Sequence, residues 1–436
     1  MWSRKSAEQY LKKTATKGII PGLEGMKQVL EGLGNPQDKL QFVQIAGTNG
    51  KGSVVAYVSR VLAQAGYRTG RYTSPAVFSA EETIQIGEGG QWEPVSGKQY
   101  VEGVKALRRV LKDLAAKQQT MPTQFELETA LAFWLFARNG CQIAVIETGM
   151  GGDLDATNVV QTTVCSGLVS ISLDHQKFLG DTLEEIALHK AGIIKPGRPA
   201  VLMGQDPRVE ETVRMVCRQQ NSPLYITDRS QATIEASDID GQTFVVPEFG
   251  RIHISLLGSF QIDNALVALE IIRRLQAAGY EITKEQVQRG IAETVWPGRM
   301  QVLQKSPLVL LDGAHNPDAA KKLRETLEKD FTNTKFVYIM GVLADKDYKG
   351  VLQILCDTAI TFVTLTPHND RALSSEQLAD AVLELDRKIP VMVVDTVKES
   401  MEYCRLFVAN GASVIFCGSL SFLGEVERQW NKKKRK

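Results

Sequence analysis

The chain has 436 residues, a length that predicts two or three domains. Apolar residues make up 43% of it and charged residues 23%, which is typical of a folded protein and excludes an intrinsically disordered chain. Because the formal net charge is only +1, the chain has no overall field with which to hold a polyanion, and we expect no nucleic-acid partner.

The apolar residues and cysteines predict where the protein works. The longest unbroken apolar run, residues 130–137, is far shorter than the roughly 20 residues that cross a bilayer, so we expect no membrane-spanning helix and no membrane partner. The first residues lack the continuous apolar segment of a signal peptide. The six cysteines form no CxxC pair, which argues against a zinc site and against a disulfide framework. These features predict a cytoplasmic protein.

Short β-rich runs alternate with helical patterns in the first half of the chain, as in βαβ units of a parallel sheet. Strands are predicted at residues 42–46, 142–147 and 163–171, and helices at residues 53–65 and 126–138. Polar residues lie at or just beyond the end of each strand, at the edge where open α/β sheets bind ligands. A polar, β-rich stretch at residues 230–255 is interpreted as an insertion in the first domain.

A more regular alternation follows in the second half. Strands are predicted at residues 308–312, 335–340, 360–365, 391–395 and 413–416, with helices between them. Pro297 and Gly298 interrupt the helical pattern just before this alternation, so we predict two domains, 1–297 and 298–436. The fold class is α/β, with a P-loop-type three-layer αβα ATPase domain followed by a smaller, doubly wound, Rossmann-like domain.

Residues Gly47 to Ser53, with the sequence GTNGKGS, follow a predicted strand and open a predicted helix, as a phosphate-binding loop does. Glycines free the backbone N–H groups, the helix N-terminus adds positive charge, and Lys51 would neutralise the outer phosphates. Gly52 stands where the Walker pattern has Ser or Thr, so Ser53 must supply the hydroxyl group that ligates magnesium. The alternative is a glycine-rich turn that only caps a helix.

Two further strand ends carry candidate metal ligands. Glu147 ends a predicted strand before a glycine-rich turn, and His175 lies just past the end of another. Together with Ser53 they predict a magnesium site at one sheet edge, although a solvated carboxylate and a structural histidine are the alternatives. By its spacing alone, Lys190 is typical of a surface lysine that ends a helix starting near Asp181.

The second domain contains the motif DGAHNP at a predicted strand end. Asn316 and Pro317 suit the N-cap and first position of a helix, so a simple turn would explain them. Asp312 and His315 exceed what a helix cap needs. Arg299 is either a solvated linker residue or an arginine that domain closure brings over phosphates.

With these segments together, the chain resembles the folylpolyglutamate synthase and dihydrofolate synthase family, relatives of the Mur cell-wall ligases. The resemblance covers nearly the whole chain. It is carried by the stretches LGNPQDKLQFVQIAGTNGKGSV, TSPAVFS, PTQFELETALAF, VIETGMGGDLDATN, SLDHQKFLGDTLEEIALHKAGIIKPG, LLGSFQIDNALVAL, WPGRMQVL, LLDGAHNPDAA and CGSLSFLGEV. Mur ligases usually carry a UDP-sugar-binding domain before the nucleotide loop; here the loop starts at Gly47, so we expect no such domain.

The resemblance implies an ATP-dependent amide ligase that adds L-glutamate to a folate through an acyl phosphate, with dihydropteroate as a second expected acceptor. The implied partners are these small molecules, ATP and two Mg²⁺ ions, and the enzyme is expected to be a monomer. The alternatives are a Mur-type ligase of peptidoglycan precursors, a P-loop kinase with a hydroxyl acceptor, and a non-catalytic nucleotide-binding regulator.

The resemblance also implies residue roles. The implied nucleotide-binding residues are Asn49, Gly50, Lys51, Gly52, Asn264, Arg299 and Asp312. The implied metal ligands are Ser53, Ser74, Glu147 and His175. The implied catalytic residues are Lys51, His175, Lys190, Arg299 and His315, where Lys190 resembles a family lysine that is carbamylated by carbon dioxide. The implied folate-binding residues are Thr123, Gln124, Phe125, Glu126, Leu154, Asp155 and Ala156.

The chain departs from the family pattern at a few positions. Asp153 replaces an Arg, Thr148 and Met150 replace Val and Leu, and Ala76 replaces a common His. We expect the loss of a cation at position 153 to alter the choice between folate substrates.

Overall fold

The computed structural model describes residues 2–16, 18, 20, 22–332 and 334–434. The sheet of the first domain has eight strands, namely β1 (Gln41–Ala46), β2 (Thr69–Tyr72), β3 (Ile84–Glu88), β4 (Gln91–Pro94), β5 (Ile143–Glu147), β6 (Thr163–Leu168), β7 (Ala200–Met203) and β8 (Leu224–Thr227). They lie in the order β4-β3-β2-β5-β1-β6-β7-β8. Strands β2 and β5 to β8 run parallel to β1, and β3 and β4 form an antiparallel edge.

Helices cover both faces of this sheet. They are α1 (Arg4–Thr14), α2 (Glu24–Gly32), α3 (Lys51–Gln64), α4 (Gly97–Ala116), α5 (Gln124–Arg138), α6 (Gln176–Leu179), α7 (Leu183–Ala191), α8 (Pro207–Gln219), α9 (Phe260–Ala277) and α10 (Lys284–Ala292). Side chains alternate along a strand, so Val43 and Ile45 of β1 pack in the core with α3 and α9. Phe42 packs on the opposite face with α5, and Ala46 packs there with α7 and α8. The first domain therefore has three layers, αβα.

The stretch at residues 230–255 forms a three-stranded antiparallel sheet. Its strands are β9 (Thr233–Asp238), β10 (Gly241–Val246) and β11 (Gly250–Ile254), in the order β11-β10-β9. Phe244 and Val246 of β10 and Ile252 and Ile254 of β11 are buried in the same core as α9. The small sheet thus covers the outer side of the first domain's helical layer.

The second sheet has six strands, β12 (Gln301–Lys305), β13 (Leu308–Leu311), β14 (Phe336–Met340), β15 (Ala359–Leu365), β16 (Val391–Val394) and β17 (Ser413–Cys417), in the order β12-β13-β17-β14-β15-β16. Its helices are α11 (Pro317–Asp330), α12 (Tyr348–Leu355), α13 (Ser375–Leu385), α14 (Val397–Ala409) and α15 (Leu423–Lys434). Helices α11 to α13 cover one face, and α14 and α15 cover the other. This is a doubly wound layer arrangement.

The predicted α/β fold class is confirmed, and most predicted elements agree with the structure within a few residues. The strand predicted at residues 163–171 was wrong at its end, because β6 stops at Leu168. Beyond it, the carbonyl of Ser170 turns to accept hydrogen bonds from the N–H groups of Thr48 (2.7 Å) and Asn49 (3.3 Å). The antiparallel edge strand β12 was not predicted, since its sequence QVLQK has only two apolar residues and none of its residues is fully buried.

The sequence predicts no membrane-spanning helix and no disulfide framework. Among the described residues, no helix combines the length and the apolar character needed to cross a membrane. All six cysteines are free thiols.

Candidate active site

The phosphate-loop candidate lies in the bend between β1 and α3, at the carboxyl end of the central strand. Gly50 precedes the first residue of α3 in the left-handed region, with φ 96°. A Cβ atom there would overlap the side-chain amide of Asn264, and one on Gly52 would come within 2.6 Å of the Trp296 ring. Glycine is therefore required at both positions: Gly50 for its backbone conformation and for space, and Gly52 for space.

A side-chain and backbone network fixes the loop to the segment after β6. Thr48 Oγ1 donates to the carbonyl of Ser172 (3.1 Å) and accepts a hydrogen bond from the Ser172 N–H (3.1 Å). These bonds add to the two backbone bonds at Ser170. The loop is thereby held in one position between two strand ends.

A cavity of about 950 Å³ opens above this loop. Its lining includes most of the residues implied to bind nucleotide, together with Ser53, namely Asn49, Gly50, Gly52, Ser53, Asn264, Arg299 and Asp312. Gln261, which sequence reasoning missed, donates from Nε2 to Ser53 Oγ (3.3 Å) and accepts from Asn264 Nδ2 (3.0 Å). The volume is within the range of cavities that bind a nucleotide-sized ligand.

Two lysines meet under the loop. Lys51 lies outside the lining of the cavity, and its Nζ donates to the carbonyls of Gly47 (3.0 Å) and Thr48 (3.1 Å). Lys190 Nζ donates to the same Gly47 carbonyl (2.9 Å). Burial, with a further contribution from the charge of Lys51, lowers the pKa of Lys190 to about 7, and burial also lowers the pKa of Lys51.

Lys190 is therefore not the surface lysine that its spacing suggested. Helix α7 ends at the sheet edge and carries the side chain inward, where the residue is only 4% exposed. The spacing could not show this, because the burial depends on how α7 packs on the sheet; only the family resemblance implied a catalytic role for Lys190.

A second cavity, of about 220 Å³, adjoins the first and shares Gly52 and Arg299 with it. Glu147, at the end of β5, and Ser74 lie in its lining. Burial raises the pKa of Glu147, although the charges of Lys51 and Arg299 oppose that rise. A buried carboxylate of this kind gains from a cation beside it.

The implied metal ligands surround the junction of the cavities rather than one point. Ser53 lines the first cavity, Glu147 and Ser74 the second, and His175 and Ser74 the third. In the part of the chain that the structure describes, no three His, Cys, Asp or Glu side chains converge as a metal site. One carboxylate and two hydroxyl groups nevertheless supply the oxygen ligands that Mg²⁺ prefers, and substrate phosphates usually complete such a site.

The third cavity, of about 410 Å³, contains six of the seven implied folate-binding residues, namely Thr123, Phe125, Glu126, Leu154, Asp155 and Ala156. Gln124 does not line it; this side chain is exposed and donates to Glu128 Oε1 (2.7 Å). Glu126 accepts hydrogen bonds from the N–H (2.7 Å) and Oγ1 (2.8 Å) of Thr123, which forms a capping box at the start of α5.

Two aspartates shape the far wall of this third cavity. Asp155 accepts hydrogen bonds from the N–H groups of Met150 (2.8 Å) and Thr157 (3.0 Å), so its carboxylate fixes the turn. Asp153, at the position of the family arginine, pairs with His189 Nδ1 at 2.9 and 3.0 Å. The wall therefore carries a carboxylate and an imidazole where the family pattern has a guanidinium group.

The motif of the second domain closes the cleft from the other side. Asp312 accepts hydrogen bonds from the N–H groups of Met300 (2.9 Å) and Ala314 (2.8 Å), so it ties the interdomain segment to the DGAHNP turn. His315 Nδ1 lies 2.8 Å from the carbonyl of Gly313, and burial together with Lys346 lowers the pKa of His315 to about 4. Asn316 is the N-cap of α11, as predicted.

Polar contacts join the two domains across the cleft. Asp174 accepts hydrogen bonds from Lys346 Nζ (2.6 Å) and Asn316 Nδ2 (3.4 Å). On the phosphate loop, Asn49 Nδ2 donates to Asp318 Oδ2 (2.8 Å). Sequence reasoning missed Lys346, which lies in no motif, and gave no role to Asp318, although Asp318 belongs to the stretch LLDGAHNPDAA. Asp174 could have been found from its place beside His175.

These features define a class of protein: a two-domain α/β enzyme with a phosphate loop at a cleft between its domains. The family model for the Mur ligase middle domain matches residues 45–272, and the model for the Mur ligase glutamate ligase domain matches residues 298–420. The dihydrofolate synthase/folylpolyglutamate synthase of Bacillus subtilis is 32% identical over 421 residues, which are 94% of this chain and 95% of that protein.

Solved structures agree with these matches. Mycobacterium tuberculosis folylpolyglutamate synthase, complexed with ADP and AMPPCP, has a TM-score of 0.87 and 29% identity, and covers 98% of this chain and 99% of its own. Escherichia coli FolC in complex with DHPP and ADP has a TM-score of 0.86 and 27% identity, and covers 99% of both chains. The chain belongs to the folylpolyglutamate synthase and dihydrofolate synthase family of the Mur ligases, and its class is that of ATP-dependent ligases.

The contact between Asp174 and Lys346 gives a prediction about domain closure. Burial would raise the pKa of Asp174, but Lys346 and His175 hold it well below its usual range, so the carboxylate is charged throughout the neutral range. In a double-mutant cycle of Asp174→Asn and Lys346→Met at pH 7, we expect a coupling of roughly 0.5–3 kcal/mol in the free energy of unfolding. Urea denaturation followed by fluorescence measures it.

The exposed pair Lys349 and Glu384, 3.0 Å apart, serves as the matched control, and we expect no measurable coupling there. Additive effects of the Asp174 and Lys346 substitutions would show that the pair does not hold the domains together. The stabilisation should fade only in strong acid, because a carboxyl group with a depressed folded-state pKa loses its contribution as the pH falls through that value.

Proposed function

We propose that this chain joins the α-amino group of L-glutamate to the carboxylate of a folate, with ATP as the energy source. The observation that carries the proposal is the connection of three cavities around the phosphate loop. The nucleotide-sized cavity shares Gly52 and Arg299 with the second, and the second shares Ser74 with the third. Three substrates that react with one another need such a junction.

The chemistry follows from the stability of a carboxylate, which does not acylate an amine at neutral pH. An oxygen of the folate carboxylate attacks the γ-phosphorus of ATP, ADP leaves, and an acyl phosphate forms. The amine of glutamate then attacks the carbonyl carbon, the C–O bond breaks, and phosphate leaves as the amide forms. Closure of the domains excludes water that would otherwise hydrolyse the acyl phosphate.

The chain's contribution to phosphoryl transfer is positioning and charge. The N–H groups of Gly50 and Gly52 cradle the phosphates at the start of α3. Asn49 lines the same cavity, but its N–H donates to the carbonyl of Ser170 (3.3 Å). Lys51 and Arg299 offset the negative charge that passes between the β- and γ-phosphates. The remaining implied residues are Asn264 and Asp312, which line the nucleotide cavity, and His315, whose Nε2 lies 3.9 Å from Asp174 Oδ2.

Two Mg²⁺ ions are part of the proposal. Ser53, Ser74 and Glu147 would hold them with substrate oxygens, and His175 would add a nitrogen ligand. When bound, the ions stabilise the charge on the phosphates. The support comes from the oxygen-rich donors and from the burial of the Glu147 carboxylate.

The third cavity is proposed to bind the folate or dihydropteroate, with Phe125 and Leu154 against its aromatic rings and Thr123, Glu126, Asp155 and Ala156 along its walls. The E. coli relative that contains DHPP and ADP supports both this assignment and the use of ATP. A cytoplasmic location belongs to the same proposal and is supported by the six free thiols. That the enzyme acts as a monomer stays a prediction.

The test of this function is ADP release with each acceptor, measured with and without glutamate. We expect ADP release with tetrahydrofolate and with dihydropteroate, in both cases only when glutamate is present. We expect no ADP release with a Mur-type UDP-sugar acceptor. The variant Lys51→Ala, whose folding is checked by thermal unfolding, gives the background rate of ADP release. Release that needs an acceptor but no glutamate would instead indicate a kinase, and nucleotide binding without release would indicate a regulator.

The proposed metal ligands give a second prediction. Glu147→Gln and His175→Ala should each raise the Mg²⁺ concentration for half-maximal rate by about 10- to 100-fold, because each removes a ligand. The exposed residues Glu235 and His253, on the small sheet, provide Glu235→Gln and His253→Ala as controls. Magnesium titrations like those of the unsubstituted enzyme for both test variants would mean that these two residues are structural.

A third prediction concerns a carbamate on Lys190. Carbamylation needs a neutral amine, and because burial lowers the pKa of Lys190 to about 7, a large fraction is neutral at physiological pH. The modification should therefore increase as the pH rises through about 7, and ¹³C NMR in ¹³C-bicarbonate would report it. Lys190→Ala should lower the rate by at least about 100-fold, because it removes the negative charge that the carbamate would hold in the site. Acetate or formate should partly restore the rate by supplying a carboxylate in its place.

The matched control for Lys190 is Lys177→Ala, an exposed lysine on α6. It should change neither the NMR signal nor the rate. Electron density that ends at the Lys190 ammonium nitrogen, together with normal turnover of Lys190→Ala, would refute the role.

A further inference from the structure

Arg71, on β2, is a charged side chain held between two aromatic rings in the interior. It is only 8% exposed. Its guanidinium carbon lies 4.3 Å from the centre of the Trp92 ring and 5.7 Å from that of Trp296. Neither the phosphate loop nor any motif accounts for this arginine.

The hydrogen-bond partner of Arg71 is a neutral amide. Nε donates to Gln85 Oε1 (2.9 Å), and Nη2 donates to the same oxygen. Among the described residues, no carboxylate is hydrogen-bonded to Arg71. The nearby carboxylate of Glu82 is used by the backbone, where it accepts hydrogen bonds from the N–H groups of Val77 and Phe78.

A buried cation without an anionic partner is costly, because burial removes its hydration. The aromatic faces recover part of that cost and fix the plane of the guanidinium group. An anionic ligand would recover more. The planar guanidinium group can donate two parallel hydrogen bonds, which matches the geometry of a carboxylate in particular.

Arg71 lines the second cavity, of about 220 Å³, and Arg299 lies on its wall as well. This volume is too small for a whole folate but suits an amino acid. The cavity also has the required position, since it adjoins the nucleotide cavity at Gly52 and the third cavity at Ser74. A ligand in it would lie beside the place where the acyl phosphate forms.

We propose that this second cavity binds the incoming L-glutamate and that Arg71 pairs with one of its two carboxylates. The inference rests on the proposed function. Both carboxylates of glutamate remain free when its amine reacts, and the guanidinium group of Arg71, which lines this cavity and not the nucleotide cavity, suits one of them. Arg71 is thus a specificity-determining residue for the amino-acid substrate.

The experiment is steady-state kinetics with each substrate varied in turn. Arg71→Gln should raise the KM for glutamate about tenfold or more, as expected for loss of a charge-assisted hydrogen bond. The KM values for ATP and folate should stay within about twofold, which a merely structural role would not produce. Arg71→Lys keeps the charge without the planar fork and should give a smaller rise.

Gln85→Glu tests the same site without removing the arginine. The new carboxylate would pair with Arg71 inside the protein, so the KM for glutamate should rise while the midpoint of thermal unfolding is kept or raised. This variant decides the matter if Arg71→Gln does not fold. Arg68→Gln is the matched control, because Arg68 precedes β2 but its side chain is 40% exposed and pairs with Glu88.

The outcomes separate the two proposals. If the unsubstituted enzyme releases no ADP in response to glutamate, the proposed function fails. If it does, but Arg71→Gln and Gln85→Glu keep its KM for glutamate, the assignment of this cavity is overturned. A selective rise in the KM for folate would overturn it too, because Arg71 would then bind the acceptor.

Discussion

The carbonyl group of Gly47 accepts hydrogen bonds from two lysines, Lys51 and Lys190, and this concentration of positive charge is the constraint around which the cleft is arranged. Burial removes the hydration of both ammonium groups and lowers both pKa values, and the carbonyl dipoles of Gly47 and Thr48 do not offset this loss. The charges of Glu147 and Asp174 oppose the lowering of the pKa of Lys51, and the charge of Asp174 does the same for Lys190. An anionic substrate above the loop would complete the balance, so affinity for phosphate follows from the structure of the protein interior itself.

The order of the strands brings these groups together. Strand β1 lies between β5 and β6, so the phosphate loop, Glu147 and the segment from Ser170 to His175 all leave the sheet at neighbouring carboxyl ends. The second domain contributes through few but well-placed contacts, above all Lys346 on Asp174. Because these contacts involve the same segments that hold the loop, closing the domains and completing the cleft are one structural event.

Sequence could predict the parts of the site whose signal is local. The glycine loop and the cap at Asn316 are consecutive residues with a required backbone geometry, and both were found. Side chains whose role depends on partners elsewhere in the fold were not found. Arg71 is defined by Trp92 on another strand and by the distant Trp296, and Lys346 by a carboxylate in the other domain. Gln124 shows a further limit of sequence prediction. Successive residues at the start of a helix point to different sides of it, so Gln124 does not line the cavity that its neighbours Thr123 and Phe125 line. The domain boundary at residues 297 and 298 stays a prediction.

The distribution of charge explains how a nearly neutral chain can handle polyanionic small molecules. The net charge of +1 excludes a long-range field, yet Arg71 and Arg299 line the second cavity, and Lys51 and Lys190 are buried beneath the phosphate loop. A charge in such a place acts at short range and in a low dielectric, where it is stronger than on the surface. Selectivity then comes from geometry: the loop's N–H groups suit phosphates, while a guanidinium fork held flat between two rings suits a carboxylate. Under the proposed assignments, this arrangement of cations by substrate would let three negatively charged reactants occupy one junction.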